Sequence, residues 1–209
     1  MVPIVASIAA GVSIIASGGP DPPQVTPPLH VTVTATTAVE RGFVNVMLGE
    51  AAAIWRAAGV TIVWRTPPGN RPPRPATEIT VTLDESYVPS FDGNARLGWI
   101  TFAGPEAPEP VIHLSLGNAG DLMNRTSSLS DTPGAWRDFL LARALGRALA
   151  HELGHYLLKS AAHEPRGLMR AARPSSDFFS PSRLGFEVTA DERARLADRQ
   201  PCAHVEAMR

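Results

Sequence analysis

A single cysteine, Cys202, is all the thiol chemistry this 209-residue chain holds, which excludes an internal disulfide and a zinc site built on cysteines. Charge of one sign is also lacking. With 19 Lys and Arg against 20 Asp and Glu the net charge is -1, so there is no electrostatic footprint for nucleic acid or an acidic membrane. No apolar run reaches the roughly 20 residues that a bilayer span requires. Partners must therefore be argued from a site. Proline, by contrast, is abundant at 20 residues, and it clusters where regular elements cannot continue.

The longest apolar stretch is Val2 to Ala16, followed by Ala16-Ser17-Gly18, a small-x-small cleavage pattern. No Lys or Arg precedes it, yet the segment 1–19 otherwise has the make-up of a signal peptide, and an extracytoplasmic (secreted or periplasmic) protein is expected. Residues 20–28, with Pro20, Pro22, Pro23, Pro27 and Pro28, read as an extended tether. From Leu29 to the end, one domain is expected.

That domain reads as α+β. Strands are expected at His30 to Ala35, Val60 to Arg65, Glu78 to Leu83, Leu97 to Phe102 and Val111 to Leu116, the clearest of them alternating apolar and polar residues. A Pro-rich loop spans Pro67 to Pro75, and a second loop holds Gly104, Pro105, Pro108 and Pro110. A first helix runs from a Thr37 and Glu40 capping box to Gly59, with Phe43, Val44, Met47, Leu48, Ala51, Ile54, Trp55 and Ala58 at helical spacing. A second, long helix starts at Asp131 or Thr132 before Pro133 and ends near Lys159. The remainder is mostly irregular until Thr189 and Glu192 supply a capping box for a last helix to about Arg199.

The second helix contains His151-Glu152-Leu153-Gly154-His155. Residues four apart share one helix face, so both imidazoles can grip one ion. Zn2+ suits neutral imidazole, and three protein ligands leave a fourth position for a water of lowered pKa. Glu152 stands beside the first ligand, where it can act as general base in hydrolysis. Leu149, Leu153, Tyr156 and Leu157 give the helix an apolar wall on a neighbouring face. His163, eight residues after His155 and past the helix end, is the first candidate for third ligand; Glu164, Glu187 and Glu192 are the others. Arg143 and Arg147 lie two turns and one turn before His151, positions that suit an ion pair more often than a substrate contact. His30, His113 and His204 are isolated.

This pattern resembles the metzincin superfamily of zinc endopeptidases, whose motif is His-Glu-x-x-His-x-x-Gly-x-x-His with a methionine turn beneath the metal. Here Leu158 and Ala161 occupy the glycine and third-histidine positions, so the spacing to His163 is two residues longer. The resemblance implies that Met169, in Gly167-Leu168-Met169, supports the site without ligating. It also implies a metzincin-like α+β fold: a twisted mixed sheet of about four to five strands, two long helices, and a short C-terminal part ending in a helix. An edge strand, here Leu97 to Phe102, would pair with an extended peptide or protein substrate, and Phe178 and Phe179 would contribute to a pocket wall or to core. A tyrosine that assists some relatives has no counterpart, since Arg170 follows Met169 directly. The implied activity is that of a zinc peptidase. A non-catalytic zinc-binding module and a hydrolase with a glutamate as third ligand are the alternatives.

Overall fold

In a computed structural model of the chain, residues 28–35, 39–65, 79–85, 96–126, 129 and 132–199 are described. The apolar leader, all of the tether but Pro28, the loop at 67–75, Thr37, Asp131, Cys202 and His204 lie outside the described residues.

Alternation of apolar and polar side chains builds a sheet with one face turned to the core. Along β3 (Ile79–Asp84), Ile79, Val81 and Leu83 are buried while Thr80 and Thr82 are only partly covered. Val31 and Val33 of β1 (Leu29–Ala35) are likewise inside, and Thr32 between them is buried as well. These strands join β2 (Ile62–Arg65), β4 (Gly98–Gly104) and β5 (Ala107–Ser115) in a five-stranded sheet of order β2-β1-β3-β5-β4. All pairs are parallel except β4 with β5, so the segment expected to be an edge strand is one, and it runs antiparallel to its neighbour.

Two differences from the expected strands have physical causes. Residues expected in a loop, Pro108 and Pro110, lie within β5, which begins at Ala107 after a short turn at Pro105 and Glu106. Pairing with β3 starts only at Val111, so this stretch has β4 alone beside it, and β4 meets it with register shifts. Missing proline N–H groups are tolerated on such an edge. Leu116, expected to end the strand, instead opens a helix, α2 (Leu116–Arg125), because the Ser115 side chain accepts from the Asn118 N–H at 3.0 Å.

Helix α1 (Arg41–Arg56) starts later than expected, with Glu40 at the N-cap position rather than three residues beyond it. It crosses α3 (Gly134–Leu158) at very close range. A Cβ on Gly146 would stand 2.5 Å from the Met47 carbonyl oxygen and 2.8 Å from the Glu50 Cβ, so only glycine permits this approach. Trp55 ties the same helices together by donating to the Ala150 carbonyl at 3.1 Å. Pressed between α1 and strands β4 and β5, α3 is buried continuously from Leu140 to Ala150. Two short helices follow, α4 (Ser175–Phe179) and α5 (Ala190–Asp198), and α5 carries the expected Thr189 and Glu192 capping box. Among the described residues, no helix is long and apolar enough to cross a membrane.

Candidate metal centre

Helix α3 ends at Leu158, and Lys159 after it takes a left-handed conformation with φ 46°. Its N–H bonds back to Tyr156 and that of Ser160 to the His155 carbonyl at 3.2 Å, a pattern that turns the chain sharply. The segment beyond doubles back, and His163 stacks on His151 with ring centroids 5.3 Å apart. His151, His155 and His163 thus converge, with one nitrogen from each all within 4.8 Å of one another.

Second partners orient two of these rings. His151 Nδ1 lies 2.8 Å from the Leu168 carbonyl oxygen and His155 Nδ1 lies 2.7 Å from that of Ser160. A carbonyl only accepts, so both Nδ1 atoms carry the proton and both Nε2 atoms present lone pairs. Those Nε2 atoms are 3.1 Å apart. Two lone pairs at that distance repel unless a cation stands beside them. Ligands about 2.0–2.1 Å from one tetrahedral ion would lie about 3.3 Å from each other, so the donor set fits a divalent metal of zinc's kind. Burial pushes His151 down to about 4 and lowers His155 and His163 as well, so all three are neutral near pH 7, the form a ligand must take.

Glu152 points into the same cleft, which encloses about 590 Å3. Burial pushes its carboxyl up to about 8, and the Arg96 charge and a hydrogen bond from the Ile100 backbone N–H work against that rise. Gly98 of β4 makes room for it: a Cβ there would lie 3.2 Å from Glu152 Cγ and 2.9 Å from Leu114 Cδ2. The sequence reading missed Gly98, although a lone glycine inside a strand is a sign of close approach. Phe102, further along β4, meets the His155 ring edge to face at 6.3 Å.

The turn that carries Met169 lies directly under α3. Gly167 has φ 73°, and a Cβ there would lie 2.9 Å from the Glu187 carbonyl oxygen, so a side chain is excluded on two counts. Met169 is buried with its Sδ against Gly154, where any Cβ would collide with it. This explains the glycine between the paired histidines. Arg173 donates to the Gly167 and Leu168 carbonyls, and Leu168 O is also the acceptor for His151.

The other candidate third ligands are engaged elsewhere. Glu164 pairs with Arg195 at 3.0 Å, Glu187 accepts from the Gly185 N–H at 2.8 Å, and Glu192 closes the α5 capping box. His113 stacks on Trp99 with centroids 5.1 Å apart and meets Thr82 Oγ1 at 2.9 Å, and His30 is exposed; neither joins the triad.

Arg143 and Arg147 form the ion pair expected of them, with a partner the sequence reading did not identify. Glu50 of α1 accepts from Arg147 at 3.0 Å, from Arg143 at 3.2 Å and from Arg183 at 2.8 Å. The remaining nitrogens of Arg147, a fully buried residue, donate to the carbonyls of Asp177, Phe178, Ser180 and Ser182. That guanidinium pins the segment whose Phe178 lines the cleft, while Phe179 is core.

No protein-family profile matches the chain, and no curated protein matches it in sequence. Its fold has relatives among solved structures. Archaemetzincin from Methanopyrus kandleri superposes with a TM-score of 0.52 at 11% identity, over 85% of this chain and 97% of that one. A zinc-dependent peptidase from Methanocorpusculum labreanum gives 0.49 at 13% identity, over 80% and 99%. The chain therefore shares its fold with archaemetzincin.

Proposed function

We propose that this chain is a zinc-dependent peptidase, with His151, His155 and His163 holding the ion, Glu152 acting as general base and Met169 supporting the site from below. The observation that carries the reading is the convergence of three neutral imidazole nitrogens in the cleft that also holds the Glu152 carboxyl group. The likeness of its fold to that of archaemetzincin is in keeping with it.

When bound, the ion supplies Lewis acidity toward a water and a peptide carbonyl. Glu152 takes a proton from the attacking water as its oxygen bonds to the carbonyl carbon. It then delivers that proton to the amide nitrogen as the C–N bond breaks, releasing an amine and a carboxylic acid. The Leu168 and Ser160 carbonyls keep His151 and His155 aimed throughout. An extended substrate adds to the sheet along β4, the terminal strand beside Glu152.

Glu152→Gln tests the reading. Zinc content should be unchanged while peptide hydrolysis falls by roughly two to four orders of magnitude. Unchanged turnover would remove Glu152 from the mechanism. Stoichiometric zinc with no hydrolysis of any peptide by the unsubstituted chain would favour a non-catalytic metal-binding module. His163→Ala should lose zinc, and full retention would exclude it as the third ligand.

A further inference from the structure

The cleft is charged far more one-sidedly than the chain. Basic and acidic residues nearly balance overall, at 19 and 20. Among the described residues, however, Glu152 is the only carboxylate lining the cleft, whereas Arg96, Arg125, Arg147, Arg170 and Arg173 all line it. Three of these guanidiniums are engaged. Arg147 is held by Glu50 and loop carbonyls, Arg173 by the Gly167 and Leu168 carbonyls and the Phe186 ring, and Arg125 by Asp121 at 3.0 Å. Arg96 and Arg170 are exposed and have no ion-pair partner among the described residues. They stand on different walls: Arg96 lies two residues before β4 beside Glu152, and Arg170 directly follows Met169.

The ligand set sharpens this bias. Three neutral imidazoles bring no negative charge to offset a divalent ion, so the loaded cleft is more cationic still. A concave, partly apolar wall focuses that field on whatever enters, and guanidinium pairs with carboxylate through two parallel hydrogen bonds. A lysine-bearing peptide meets repulsion in the same place.

We propose that Arg96 and Arg170 select substrates with a carboxylate close to the scissile bond, so that this chain acts on acidic peptides. The proposal rests on the peptidase reading and names its substrate class. The carboxylate can come from an Asp or Glu side chain or from a substrate C-terminus, and the two sources are experimentally separable.

The test is fluorescence anisotropy of labelled peptides on zinc-loaded Glu152→Gln protein, which reads binding without turnover. The peptides differ only in Glu, Gln or Lys beside the expected scissile bond, each with a free or an amidated C-terminus. The Glu peptide is expected to bind on the order of tenfold more tightly than the Gln peptide at low salt, with the gap closing as salt rises. Adding Arg96→Ala and Arg170→Ala together should abolish the gap. Arg56→Ala, which removes the same charge from α1 outside the cleft, should preserve it. A gain confined to free C-termini identifies a terminal carboxylate as the anchor and supports the proposal in that form. If amidation has no effect, the anchor is a side chain. Equal binding of all peptides, tighter binding of the Lys peptide, or an oligonucleotide that outcompetes every peptide would overturn it. Charge-blind binding by a chain that still cleaves peptides defeats the selectivity alone, whereas absence of binding and cleavage for every peptide defeats the peptidase reading too.

Discussion

Replacing Glu50 by Gln removes one negative charge, keeps the side-chain shape, and strands three arginines. The Glu50 side chain is 3% exposed and Arg147 is 0% exposed, so neither charge is exchanged for hydration when its partner goes. Breaking a buried pair in this way costs about 3–5 kcal/mol, a large part of the roughly 5–15 kcal/mol that holds a domain together. Arg183 is 50% exposed, and its own removal should cost no more than about 1 kcal/mol because water screens it. The pH dependence gives a second, independent signature. Burial works to raise the Glu50 carboxyl, but hydrogen bonds from Arg183, Arg143 and Arg147 outweigh it and hold the folded-state pKa below the usual 4.5. A depressed carboxylate contributes stability that is present above its unfolded pKa and lost as pH falls through the folded one. Urea denaturation from neutral pH down to about pH 3 should show the native chain losing stability in acid below about 4.5, with Glu50→Gln weaker at neutral pH and flatter in acid. Glu50→Gln within about 1 kcal/mol of the native chain at pH 7, or an acid slope identical to the native one, would refute the argument that this cluster is an electrostatic anchor.

The two glycines at the site make further predictions. Gly98→Ala should leave zinc content intact and cut kcat by about tenfold or more, because its Cβ presses on Glu152 and displaces the carboxyl; steady-state kinetics with metal analysis checks this, and an unchanged kcat would contradict it. Gly154→Ala should destabilise by about 1–3 kcal/mol through overpacking against Met169, and Met169→Ala by about 2–5 kcal/mol through the cavity it leaves. The double substitution should cost clearly less than the sum in denaturant unfolding, since each change relieves the other, and strict additivity would show that the two side chains do not share the space.

What the sequence makes legible is what repeats locally. The alternation in β1 and β3, the helical spacing in α1, the Thr189 capping box and the His151 to His155 interval are all patterns within a few residues, and each appears in the structure. Helix α2 escapes because it starts with no intervening loop after β5 and contains Gly117 and Gly120, which dilute its periodic signal. Glu50 escapes for a different reason. Standing alone in an apolar helix face it reads as an anomaly, and its partners lie 93, 97 and 133 residues away. The arginine bias of the cleft is similarly invisible, because Arg96 and Arg170 are brought to one cavity only by the return of the chain beneath α3.

That return also resolves the lengthened spacing between His155 and His163. The turn is made by a left-handed Lys159 one position beyond the motif's glycine, so one additional residue precedes it and one falls between it and His163. They do not idle there. The Ser160 carbonyl fixes the tautomer of His155, and Leu168, further along, does the same for His151. Both paired imidazoles on the helix are therefore oriented by backbone from the segment that follows it, and the Arg173 contacts to Gly167 and Leu168 brace that segment in turn. A helix bearing the motif alone would offer two imidazoles free to rotate. The fixed donor set exists only when the downstream chain is folded against it, which couples ion affinity to the packing of Met169 and to the anchoring of the C-terminal wall by Arg147.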